Sequence, residues 1–168
     1  EKDVTLAAAL ALREELLKSK RYDVALTRST DVFIELEDRV TKARNLGADL
    51  FLVLHADAGP KPSTSGASVY TLSPEGEKRV DSARRENDWI LDVEVDSQRP
   101  AEVNRILADL VQRETKNQSA RFAQMLAESI AEAGWPTLEN THRQRGFFVL
   151  LSPDVPAALL EMGFMTNE

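Results

Sequence analysis

A chain with two histidines and no cysteines has few ways to hold a metal or to activate a nucleophile. His55 closes an apolar run, LFLVLHADAG, with Asp57 two residues beyond it. In an open α/β sheet, functional groups gather where strands end and loops begin, which makes His55 a candidate ligand. The simpler alternative is a rim histidine bonded to neighbouring backbone. Glu161 interrupts a second apolar run, ALLEMGF. An ionised carboxylate there is costly unless it has a cation, a hydrogen-bond partner or a proton, or unless the pleat turns it to solvent. Glu1 leads an apolar helix pattern, where it can complement the positive helix N-terminus or serve as a ligand. Hydrolytic zinc takes three side chains, such as two histidines and a carboxylate, and leaves a fourth position for water. A nearby glutamate then takes a proton from that water and returns it to the leaving amine. Glu1, His55 and Glu161 cover all but one histidine of that set. His142, the other histidine, sits in the polar stretch ENTHRQRG, which reads as a surface loop.

Several elements must position these groups. Residues 1–20 place Leu6, Leu10 and Leu17 on one helical stripe, with acids first and lysines last. YDVALTR (22–28) alternates as a half-buried strand does, and residues 36–47 read as a helix stopped by Gly47. LFLVLHA and GASVYTL (66–72) read as strands. The segment 75–118 is charged and reads as a loop-rich insertion, with an apolar patch at Trp89 to Leu91. Val103, Ile106, Leu107, Leu110 and Val111 give it one short helix at 100–112. Phe122, Met125, Leu126, Ser129 and Ile130 mark a second helix, capped by Ser119. GFFVLL (146–151) and PAALLEMGF (156–164) read as the last strands. This alternation predicts an α/β fold, a mostly parallel or mixed central sheet with helices packed on it.

At 168 residues, 42% apolar and 29% charged, the chain reads as one domain, residues 1–168. No run approaches the roughly 18 apolar residues of a membrane span. A net charge of −7 without a basic cluster argues against a nucleic-acid partner. Both ends read as cut from within a longer protein, because domains seldom begin at the first turn of a packed helix.

Six blocks in order resemble the type-3 family of zinc-dependent N-acetylmuramoyl-L-alanine amidases: EKDVTLAAALALREELL, VALTRSTDVFIELEDRVTKARNLGADLFLVLHADA, GASVYTLS, EN at 86 and 87, QRETKNQS and GFFVLLSPDVPAALLEMGFMTN. The resemblance covers nearly the whole chain. It implies a zinc-exopeptidase-like sandwich with helices on both faces of the sheet, and one zinc ion. The reaction it implies is hydrolysis of the amide between N-acetylmuramic acid and L-alanine in peptidoglycan, in wall remodelling and daughter-cell separation. By this resemblance Glu1 and His55 bind zinc and Glu161 is the catalytic carboxylate. A further zinc-binding histidine of the family lies upstream of the EKD block, so zinc binding by these 168 residues is expected to be impaired. The resemblance also implies a periplasmic or cell-surface location, with a signal peptide upstream. Some relatives carry a blocking helix relieved by an activator protein, which makes the 100–112 helix a candidate cover and Glu102 its candidate plug. Arg28 and Arg145 are candidate substrate cations, with salt-bridging as the simpler alternative. Two other functions fit the same residues: a zinc exopeptidase on free peptides, or a wall-binding or regulatory module that has lost catalysis.

Overall fold

The computed structural model describes residues 1–59, 61–85 and 98–166. The sequence readings at Glu86, Asn87 and Trp89 to Leu91 lie outside them. Four strands form one sheet: β1 (Phe51–His55), β2 (Ala67–Leu72), β3 (Thr137–Arg145) and β4 (Ala157–Glu161). Their spatial order is β1-β4-β2-β3. β4 runs parallel to β1 and antiparallel to β2, and β2 runs parallel to β3. The mixed α/β sheet expected from the sequence is present.

The pleat of β4 shows why its sequence is almost wholly apolar. Ala158 and Leu160 turn to one face and pack with Val69 against α4 (Ala101–Glu132), through Phe122, Ala123, Leu126, Ala127 and Ile130. Ala157 and Leu159 turn to the other face and pack with Val53, Val149 and Leu150. On that side Val40 of α2 (Leu36–Asn45) meets Leu151. A strand covered on both faces needs apolar residues at both parities. Full burial of a side chain such as Leu159, 2% exposed, stabilises by about 1.5–3 kcal/mol.

Several local expectations are corrected. The two helices at 100–112 and 119 onward are one helix of 32 residues, α4. Its buried stripe is made of small or polar residues, Asn104, Ala108, Thr115, Ser119, Ala123 and Ala127, of which Ala123 and Ala127 pack on the sheet. Val103, Ile106, Leu107, Leu110 and Val111 lie off that stripe and are exposed. Ser119 is no cap: its hydroxyl donates to the Thr115 carbonyl (2.8 Å) and accepts from the Ala157 N–H (3.0 Å), tying the helix to the first residue of β4.

The polar stretch 139–145 is strand, not loop. Between the pairs Ala67↔Thr137 and Val69↔His142 the register of β3 shifts, and Asn140 takes φ 55°. Arg143 braces this bulge by donating to the carbonyls of Asn140 and Glu139. Residues 146–151 hold a 3-10 turn at Phe148–Leu150 instead of a strand. Residues 22–28 join no ladder among the described residues. Among the described residues the remaining helices are α1 (Lys2–Lys18) and α3 (Pro74–Arg85), so the described part of 75–118, expected to be loop-rich, is mostly helix, in α3 and the first half of α4.

Candidate active site

One edge of the sheet collects the C-terminal ends of β1 and β4 and the N-terminal ends of β2 and β3. The register pairs His55 with Glu161 on one side and Ser68 with Glu161 on the other. Glu161 is 4% exposed, so pleat alternation does not turn it to solvent. Its Oε1 accepts a hydrogen bond from the Asp57 backbone N–H at 2.8 Å. Burial pushes its carboxyl above the usual carboxylate range; the Asp57 N–H draws it back, the Asp57 carboxylate raises it, His55 lowers it and Glu1 raises it.

His55 Nδ1 stands 3.2 Å from Glu1 Oε1 and 3.2 Å from Asp57 Oδ1. Ligand atoms of Glu1, His55 and Asp57 all lie within 4.8 Å of one another, an arrangement able to hold a metal ion. The strand end is fixed by two backbone bonds, Met162 N–H to the His55 carbonyl and Met165 N–H to the Asp57 carbonyl, each 2.9 Å. Glu1 stands at the N-cap of α1. Arg28 holds that first turn in place, donating to the Lys2 carbonyl (2.6 Å) and the Thr5 hydroxyl (3.3 Å). With its side chain 18% exposed, Arg28 positions α1.

The structure therefore brings Glu1, His55 and Glu161 together, with Arg28 next to Glu1. It does not bring Arg145 or Glu102 there. Arg145 pairs with Leu72 at the opposite end of β2 and β3. Helix α4 climbs from Ser119, at the start of β4, to the site edge at its C-terminus, and Glu102 lies in its first turn. The thirty residues from Glu102 to Glu132 put it roughly 45 Å along the axis from that end. His142 is half-buried in β3, with Nε2 3.0 Å from the Thr71 hydroxyl, and burial lowers its pKa.

Asp57 is the residue that sequence reading left without a role. Its spacing from His55 was visible, but the bond to Glu161 comes from its backbone nitrogen, which no residue type reveals. Ser68 is also unassigned: fully buried beside Glu161, its hydroxyl has no hydrogen-bond partner among the described residues.

The N-acetylmuramoyl-L-alanine amidase family matches residues 1–168, and the chain belongs to that family. It is 37% identical to the amidase AmiA of Escherichia coli, covering 99% of this chain and 58% of AmiA. It is 35% identical to the amidase AmiC of Escherichia coli, covering 99% of this chain and 40% of AmiC. The chain thus spans about half the length of these curated relatives. Among solved structures, its fold is similar to the catalytic domain of CwlV from Bacillus (Paenibacillus) polymyxa, with TM-score 0.59, 24% identity, and coverage of 96% of this chain and 66% of that one. It is also similar to the CwlD amidase of Clostridioides difficile, solved in complex with the GerS lipoprotein, with TM-score 0.62, 20% identity, and coverage of 99% and 72%.

Proposed function

We propose that the chain hydrolyses the amide joining the lactyl group of N-acetylmuramic acid to L-alanine in peptidoglycan, with zinc at Glu1, His55 and Asp57 and with Glu161 as the proton carrier. The observation that carries this reading is Glu161: a carboxylate 4% exposed, held by the Asp57 N–H, beside the ligand cluster. Tetrahedral zinc with donor bonds of about 2.0–2.2 Å separates neighbouring donors by roughly 3.3–3.6 Å. The two 3.2 Å separations around His55 Nδ1 fall just short of that spacing, and one imidazole with two carboxylates is a donor set zinc accepts. The histidine that family resemblance places upstream of Glu1 would strengthen the same site.

When bound, zinc polarises the scissile carbonyl and acidifies a water. Glu161 takes the proton of the attacking water and delivers it to the departing alanine nitrogen. The Asp57 N–H fixes Oε1 and leaves Oε2 for this transfer. A carboxyl raised by burial is a better base than an ordinary one. The substrate places the protein in the periplasm or at the cell surface. A protein partner belongs to the same reading, supported by the GerS complex of the related CwlD.

The test is incubation of the zinc-loaded protein with purified wall sacculi, with the products separated by mass spectrometry. Free stem peptides with intact glycan strands are expected. Trimming of free peptides alone would point to an exopeptidase, and zinc binding without any product to a binding module.

A further inference from the structure

A groove of about 360 Å³ opens on the same sheet edge, lined by Ser65, Gly66, Trp135, Pro136, Met162, Gly163 and Phe164. Met162 follows Glu161 directly, and Gly66 and Pro136 lead into β2 and β3. Two strand spacings separate β4 from β3, so the groove reaches about 10 Å from Glu161 to Trp135.

Trp135 is 63% exposed, unusual for the largest apolar side chain. Its backbone is nonetheless rigidly placed. Gly134, at φ 74°, ends α4 with the paired bonds Gly134 N–H to the Ala131 carbonyl and Trp135 N–H to the Ile130 carbonyl. The Pro136 carbonyl then accepts the Ala67 N–H at 2.8 Å. The indole is presented by a capped helix on one side and a strand on the other. Gly66 shapes the floor: a Cβ there would come within 2.7 Å of the Thr137 backbone.

We propose that this groove is a sugar subsite, in which the N-acetylglucosamine ring next to the muramoyl residue that bears the scissile amide stacks on Trp135. The proposal rests on the amidase reading above. None of the lining residues is charged, in a chain of net charge −7. A stem peptide with free carboxylates finds no cation there. A neutral ring with an apolar face and an acetamido group matches the Trp135 face, the Met162 and Phe164 side chains and the Ser65 hydroxyl. Ligand pockets run from roughly 300 Å³ upward, so the volume suits a single ring.

The zinc-loaded protein would be titrated with the β-1,4-linked N-acetylglucosamine trimer while the Trp135 indole N–H signal is followed by NMR. KM would be measured on a glycan-strand substrate and on a single-sugar muramyl peptide. The trimer is expected to move the indole signal. Trp135→Ala is expected to raise KM on the strand about three- to tenfold, with kcat and the single-sugar KM little changed, and Trp135→Phe to recover part of the loss. An unmoved indole signal with equal KM values in wild type and Trp135→Ala overturns the subsite and leaves the amidase standing. A wild type that cleaves neither substrate overturns the amidase reading instead, and the trimer titration alone then decides whether the groove holds sugar.

Discussion

Asp57 bonds Glu161 through its backbone nitrogen and His55 through its carboxylate, so substitutions separate its two roles. Asp57→Asn keeps the N–H and removes the charge; zinc affinity measured by chelator competition is expected to fall at least as far as the roughly 10- to 100-fold that losing a partner behind a ligand costs. Glu161→Gln keeps an acceptor for the same N–H; kcat on wall fragments is expected to fall about 10²- to 10⁴-fold while zinc stays bound. His142 supplies a pH dependence. Its folded pKa is depressed by burial, so its contribution is complete above the unfolded value of about 6.5 and is lost as pH falls through the folded one. Melting curves of His142→Gln should lose less stability than wild type between roughly pH 7.5 and 5.5. His55 and Glu161 were legible because a histidine is rare in this chain and a carboxylate is costly in an apolar run, whereas Glu1 was assigned its role by the family resemblance. Arg145 and Glu102 were not, because a charged residue carries no sign of which end of the sheet its element reaches.

Helix α4 separates periodicity from packing. Its apolar positions have helical spacing, yet the stripe that meets the sheet is the small one, where Ser119 bonds the Ala157 N–H. Ser119→Ala strands that buried N–H and is expected to cost about 1–3 kcal/mol by denaturant unfolding, whereas Leu110→Glu on the exposed face should stay within about 0.5 kcal/mol. Large apolar side chains dominate a sequence reading and small ones at a close approach are silent, which is why the helix was divided. β1, β2 and β4 were readable from their apolar runs. β3 was hidden because its polar bulge at Asn140 interrupts the two-residue period. Residues 22–28 have the alternation of a strand but no ladder partner among the described residues, and pairing is set by what lies alongside, not by the strand's own pattern.

At the scale of the whole chain, the net charge of −7 would face, on the proposed substrate, stem peptides that carry carboxylates. Repulsion at long range is screened by salt, with a Debye length of about 30 Å at 0.01 M and 8 Å at 0.15 M. The rate per enzyme on intact sacculi at low substrate is therefore expected to rise over that range of sodium chloride. The strand order has a consequence in time. β1 and β2 are made early, but what joins them is β4, more than eighty residues later in the chain, and β4 ends in Glu161. Such long-range pairing closes late and slowly. During synthesis the growing chain thus has neither this sheet joined nor Glu161, the proposed proton carrier, until the same five residues arrive. On the proposed mechanism, closure of this sheet and arrival of the catalytic carboxylate are one event, and a chain interrupted before β4 is expected to be inert.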